Sequence, residues 1–278
     1  MAPPAEFDAT NEFSFSTSIG TTSPSAELPD RVGGSNDNRN STPLPRGRAA
    51  DLVGTLAAQF GHLPGTELLK RVVKDIFPGQ IALVSSFGIE AALLLSMVAD
   101  IDPTTPVLFI DSGKLFGETL RYRDKLIGFL GLRDVRSVLP DPKRLAADDP
   151  DGRLWHDDPD RCCRIRKVEP LQAALAGFAA WISGRKRYQS TARADLPMLE
   201  AVEGRIKVNP LAFWTRAEID AEFARRGLPR HPLEADGYPS IGCMPCTDRV
   251  RAGEDSRAGR WRGLDKSECG IHLPARLT

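Results

Sequence analysis

Five cysteines occur in the 278 residues, and their spacing is that of chemistry rather than of core packing. Cys162 and Cys163 are adjacent. Cys243 and Cys246 share the stretch Gly242-Cys243-Met244-Pro245-Cys246, and Cys269 stands alone in Glu268-Cys269-Gly270-Ile271-His272. A Cys-x-x-Cys turn brings two thiolates onto one centre. Adjacent cysteines are awkward for a small tetrahedral zinc ion but can bind two different irons, so the two pairs suit a [4Fe–4S] cluster held by four cysteine thiolates. Cys162, Cys163, Cys243 and Cys246 are therefore the expected metal ligands. Two disulfides, or four unconnected thiols, are the alternatives that the residues alone leave open. Cys269 is the thiol left over and a candidate nucleophile. Glu268 beside it would raise its pKa, so a reactive Cys269 needs cations to offset that charge. Arg257, Arg260, Arg262 and Lys266 are near in sequence, and His272 is three residues on. On sequence alone that basic cluster is equally a solvated face.

Composition bounds the setting. Lys plus Arg and Asp plus Glu number 37 each, so no bulk charge favours nucleic acid or a membrane surface. No apolar run approaches the roughly 20 residues of a membrane span. Glu6, Asp8 and Glu12 precede the first arginine, Arg31, unlike a secretory signal or an organelle transit segment. An odd number of cysteines without a signal points to a reducing cytoplasm. Residues 1–48 are rich in Ser, Thr, Asn, Pro and Gly without periodicity and read as a disordered leader.

The elements that must position these residues follow an alternating pattern. Leu68, Leu69, Val72, Val73, Ile76 and Phe77 fall at helical spacing and stop at Pro78-Gly79. Ile81–Val84 is a short apolar run typical of a buried parallel strand. Ser85-Ser86-Phe87-Gly88 then turns the chain into a helix over 90–98, a turn whose backbone N–H groups can hold phosphate or sulfate. A second strand is predicted over 106–110, a helix over 115–130 and a third strand over 135–138. A helix opening at Cys162-Cys163 runs to Leu175, with Lys167 on it, and a fourth strand covers 180–184. Thr215 and Glu218 form a capping box for a last helix ending before Gly227. Repeated βα units predict an α/β fold: an open, mainly parallel twisted sheet with helices on both faces. Ligands in such sheets bind beyond the carboxyl ends of the strands. The Ser85 turn, Asp111-Ser112-Gly113 and the arginine-rich loop Arg185 to Arg193 all lie there. Past residue 227 the chain is irregular and needs something to hold it.

These pieces together resemble assimilatory adenylyl-sulfate (APS) reductases, within the wider phosphoadenylyl-sulfate reductase family. The resemblance is carried by Ser85–Gly88, Ile110–Phe116, Cys162 to Leu171, Trp181–Arg185, Gly237–Cys246, Arg257–Trp261 and Glu268–His272, in the right order along residues 80–272. It implies an adenine nucleotide alpha hydrolase-like fold and a nucleotide- and cluster-binding domain over 49–252, with a mobile catalytic tail over 253–278. It implies that Ser85, Ser86, Phe87 and Gly88 hold the phosphosulfate while Ile110, Asp111 and Gly113 lie along the adenosine. Lys167, Arg185, Arg187, Arg193, Arg257, Arg260 and His272 are the implied remaining substrate contacts. The four paired cysteines would hold a [4Fe–4S] cluster, and Cys269 would attack the sulfate sulfur to form an S-sulfonate. Thioredoxin or a similar thiol would release sulfite, in sulfate assimilation and cysteine biosynthesis. The presence of the cysteine tetrad points to APS, because relatives using the 3′-phosphorylated nucleotide commonly lack it. A homo-oligomer is compatible with this family. The sequence departs from the pattern at Tyr188, where an acidic residue is common, and at Gly117, where a proline is. Three other readings stand: a 3′-phosphoadenylyl-sulfate reductase, an ATP-dependent adenylating enzyme on the same sheet, and a zinc-stabilised binding module. The second is disfavoured because Ile89-Glu90 does not continue a Ser-Gly-Gly-x-Asp loop.

Overall fold

The computed structural model describes residues 44–264, 266 and 268–272. Most of the leader, residues 1–43, therefore lies outside the described residues, as do 265, 267 and 273–278 of the tail. The first described helix spans Arg46–Phe60, beginning three residues before the expected boundary at 49.

Six strands form one sheet: β1 (Ile81–Ser85), β2 (Val107–Ile110), β3 (Val135–Val138), β4 (Ala180–Ile182), β5 (Leu199–Val202) and β6 (Arg205–Val208). Their spatial order is β3-β2-β1-β4-β6-β5. All neighbours are parallel except β5 and β6, an antiparallel hairpin at one edge. Sequence reading missed this hairpin. Its turn is Glu203-Gly204, both with positive φ (52° and 75°), as a two-residue hairpin turn compatible with strand twist requires.

The buried strands show why the runs are apolar. Every residue of β1 and β2 is buried, and successive side chains enter opposite layers. Ile81, Leu83, Phe109 and Ile182 join the core formed with Leu69, Leu93 and Val98. Ala82, Val84, Leu108, Ile110 and Trp181 pack instead on Leu171, Leu175 and Phe178. The first layer is supplied by the helix over Gly65–Arg71, its π-helical continuation Val72–Ile76, and the helix over Ala91–Ile101. The second layer is the helix carrying the cysteine pair. That helix does not open at Cys162. It starts at Pro159, capped by the Asp158 side chain, and Cys162 and Cys163 close its first α-helical piece. A π-helical turn over Arg164–Val168 follows, then Glu169–Ala174. The cysteines thus lie inside a helix, not at its free N–H groups. The helix over Arg216–Arg225 has the predicted Thr215–Glu218 capping box.

His231 is almost fully enclosed (1 % exposed). Its Nε2 meets Thr119 Oγ1 at 3.2 Å, and its Nδ1 accepts from the Leu233 N–H at 3.2 Å. Burial pushes its pKa down to about 4, with Glu118 opposing weakly. The unfolded chain binds a proton there near pH 6.5 and the folded chain does not. The stability linked to His231 is thus full above pH 6.5 and lost as pH falls toward 4, by about 3 kcal/mol for a shift of this size. Denaturant midpoints at pH 7.5 and 5 should differ in that direction, and His231→Gln should flatten the difference. An equal pH dependence in the variant would remove His231 as its source.

Candidate active site

Strand order reverses between β1 and β4, from which the chain proceeds to β2 and β3 on one side and to β6 and β5 on the other. A crevice opens at that switch point, beyond the strand ends. Ser85, Ser86 and Gly88 from the end of β1 line it, together with Ile110 from β2 and Ser183, Gly184 and Arg185 from β4. Lys167 enters from the π-helical turn, and Arg193, Arg257, Arg260, Cys269 and His272 complete the expected residues around it. Residues from five separate stretches of chain are thus brought together.

Four expected residues do not line the crevice. Phe87 is fully buried with φ 49°, and its ring meets Phe109 edge-on at 5.3 Å. Its contribution is to shape the turn, and its N–H donates to Ser85 Oγ at 3.1 Å. Asp111 accepts from the Gly113 N–H at 2.9 Å, closing its own turn. Gly113 takes the left-handed φ of 70° that this turn needs. Arg187 donates to the Leu196 carbonyl at 2.9 Å and stacks over Phe213 at 4.1 Å.

Sequence reasoning missed an ionic hub on the wall. Glu90, only 9 % exposed at its side chain, accepts from Lys186 (2.7 Å), Gln189 (2.8 Å) and the Tyr188 hydroxyl, with Arg216 at 3.5 Å. The Tyr188 departure is thereby met: the tyrosine donates to an acid supplied by the β1 turn. Behind Arg185 lies a second missed group. Glu200 accepts from Arg185 and, at 2.6 Å, from Asn209, while Lys207 sits 3.8 Å away. Burial, then the Arg185 charge, pushes Lys207 down to about 7. Glu200 in β5 and Arg205 and Lys207 at alternate positions in β6 were the available signal.

The tail residues are seated closely. Arg260 stacks over Trp261 at 4.4 Å and donates to the Ile241 carbonyl at 2.9 Å. Gly242 permits this, since a β-carbon there would overlap the guanidinium. Glu268 does not burden Cys269 with an unscreened charge. Burial raises its pKa, but bonds to Arg193 and the charges of Arg193, Arg257 and Arg185 outweigh that and hold it below the usual range. A side-chain hydrogen bond links Cys163 and Cys269. That bond, against opposing burial, joins with Lys167, the Ile271 N–H and Arg260 to hold the Cys269 pKa well below that of a free thiol. Cys163 moves the opposite way, raised by the same bond, by burial and by the Cys269 charge. His272 is kept neutral by burial and by Lys207, Arg193, Arg185 and Arg257.

The cysteine tetrad requires a correction. Cys162, Cys163, Cys243 and Cys246 do line one small cavity, with Arg166, Lys167 and Arg260. Yet among the described residues no group of three or more His, Cys, Asp or Glu side chains is arranged to hold a metal ion. This overturns the expected [4Fe–4S] cluster, and with it the metal-binding and iron–sulfur character read from the spacing. Cys163 is engaged by Cys269, and Cys243 by Ser112 Oγ at 2.9 Å. Burial pushes the Cys162 thiol up to about 11. No disulfide replaces the cluster; all five cysteines are free.

Fold and rim define an α/β protein of the doubly wound class, with a cation-lined crevice containing one low-pKa thiol. The chain belongs to the phosphoadenosine phosphosulfate reductase family: residues 80–249 match the phosphoadenosine phosphosulfate reductase domain. An adenosine 5′-phosphosulfate reductase of Mesorhizobium japonicum is 49% identical over 227 residues, 82% of this chain and 89% of that one. A phosphoadenosine 5′-phosphosulfate reductase of Gloeobacter violaceus is 39% identical over 222 residues, 78% of this chain and 92% of that one. Among solved structures, the phosphoadenylyl-sulfate reductase of Candida auris, a phosphate complex, aligns with a TM-score of 0.58 and 26% identity over 72% of this chain and 97% of that one. No helix among the described residues is long and apolar enough to cross a membrane.

Proposed function

We propose that this chain reduces adenosine 5′-phosphosulfate to sulfite and AMP, with Cys269 as nucleophile and a thioredoxin-type dithiol as reductant, in cytoplasmic sulfate assimilation. The observation that carries the reading is the seating of Cys269, its pKa held low, in the same crevice as the Ser85 turn, Lys167 and Arg260. The N–H groups of the Ser86–Gly88 turn and the start of the helix over Ala91–Ile101 suit the phosphosulfate oxygens. The Cys269 thiolate attacks the sulfate sulfur. As the new S–S bond forms, the S–O bond to phosphate breaks and its electron pair leaves with AMP. AMP is a good leaving group, so charge neutralisation and alignment are the main requirements. A reductant thiolate then attacks the Cys269 sulfur, expelling sulfite and leaving a mixed disulfide. The reductant's second thiol resolves it and restores Cys269. The stretch that carries Arg257, Arg260 and Cys269 would move between the two partners, a small anion and a bulky protein.

The test is a turnover without reductant. Full-length protein given APS alone should release about one AMP per active site, with the sulfonate mass on the peptide containing Cys269. Sulfite appearing without any thiol would defeat the reading. The relative from Gloeobacter violaceus named for the 3′-phosphorylated nucleotide keeps one alternative in view. Comparing kcat/KM for both nucleotides decides it, and a clear preference for the 3′-phosphorylated form would reassign the substrate.

A further inference from the structure

Glu268 and Arg193 lie 75 positions apart in sequence and meet as a two-pronged ion pair. Arg193 Nε donates to Oε1 at 2.8 Å and Nη2 to Oε2 at 2.8 Å. Their side chains are 7 % and 8 % exposed, so the pair is out of water. Arg257 Nη2 approaches Glu268 Oε1 at 3.4 Å, and Ser190 Oγ donates to the same oxygen at 3.5 Å. Arg193 is itself held by Gln189, which is fixed on Glu90. The carboxylate therefore joins the tail to the loop after β4, one residue before the thiol that must enter the crevice.

Resting on the reading of Cys269 as nucleophile, we infer that Glu268 and Arg193 form the latch that seats it: both are positioning residues, and Arg193 belongs to the tail dock rather than to the substrate clamp. Lys167 and Arg260 act directly on the Cys269 thiol, and Arg185 and Arg257 also line the crevice. A planar guanidinium gripping both carboxylate oxygens fixes direction as well as distance, which a lone ammonium cannot do. Losing one partner strands the other charge in a desolvated place, so the closed tail is lost sharply rather than loosened.

The experiment compares full-length wild type with Glu268→Gln and Arg193→Lys. The first readout is the rate at which iodoacetamide alkylates Cys269 without nucleotide, followed by peptide mass. Both variants should be alkylated roughly tenfold faster or more, the scale of losing a hydrogen bond to a charged group. Arg193→Lys keeps its charge, so acceleration there reports release of the tail and not an altered thiol pKa. The second readout is AMP affinity against the rate of S-sulfonation from APS. A latch predicts a sulfonation rate down roughly tenfold in both variants with AMP affinity held within about twofold. Unchanged alkylation in Arg193→Lys, or AMP affinity lost in step with the rate, overturns the latch and returns Arg193 to the clamp. Should wild type itself fail to sulfonate, the proposed function falls, while the alkylation comparison still decides the latch.

Discussion

Cys269→Ser should abolish S-sulfonation, lowering AMP release from APS by roughly a thousandfold or more, as for loss of a covalent nucleophile. A serine hydroxyl in the same place keeps the shape but not the reactivity. The surroundings that favour a sulfur anion do not suffice for it. Cys163, Lys167, the Ile271 N–H and Arg260 act on a thiol whose ordinary value is already within reach of neutrality. An alcohol starts far higher. The variant should fold and bind AMP as wild type does, since Cys269 is only half-buried and sits on the tail. Rapid-quench measurement of AMP with wild-type and variant protein checks it. AMP release at the normal rate would mean that another atom attacks sulfur.

Lys167→Met should slow S-sulfonation by roughly a hundred- to a thousandfold, the scale of removing one preorganised charge from a water-poor site. Lys167 lines both the crevice and the cysteine-lined cavity. Burial lowers its pKa, but the nearby Cys269 charge opposes this and the net shift is upward, so it stays protonated. Methionine keeps the length and removes the charge. Two consequences follow from one change. The Cys269 thiol loses a stabilising cation, so its pKa rises, and the reacting sulfonyl group loses a counter-charge. The pH midpoint of Cys269 alkylation should move upward alongside the slower chemistry. A variant with an unmoved midpoint and a rate within about threefold of wild type would leave Lys167 as a packing residue.

The alternation of short apolar runs and helical spacing was sufficient for the parallel part of the sheet. β1, β2 and β4 fall within the runs expected over 81–84, 106–110 and 180–184, because strands buried on both faces must be continuously apolar. β3 lies over the expected 135–138, although its Arg136 and Ser137 are exposed. Thr215 and Glu218 likewise announce their helix, since a capping box is a local device. The rim was legible too: residues at strand ends share one side of a parallel sheet whatever the rest of the chain does. The helix over Arg46–Phe60 and the hairpin of β5 and β6 were not. Their exposed or charged positions, such as Glu200 and Lys207, interrupt the apolar signal, and only neighbouring strands make those charges part of a buried network.

Spacing along the chain determined which side chains were available, and tertiary structure decided what each one meets. Four paired cysteines suggested one shared metal. In the fold, the Cys163 thiol meets Cys269 and Cys243 meets Ser112, contacts that depend on rotamers and on loops more than a hundred residues apart. Glu268 looked like a charge that would impair its neighbouring thiol. Arg193, 75 positions away, makes it an anchor instead. Electrostatic effects fall off with distance in space and with exposure to water, and neither distance nor exposure is written in sequence separation.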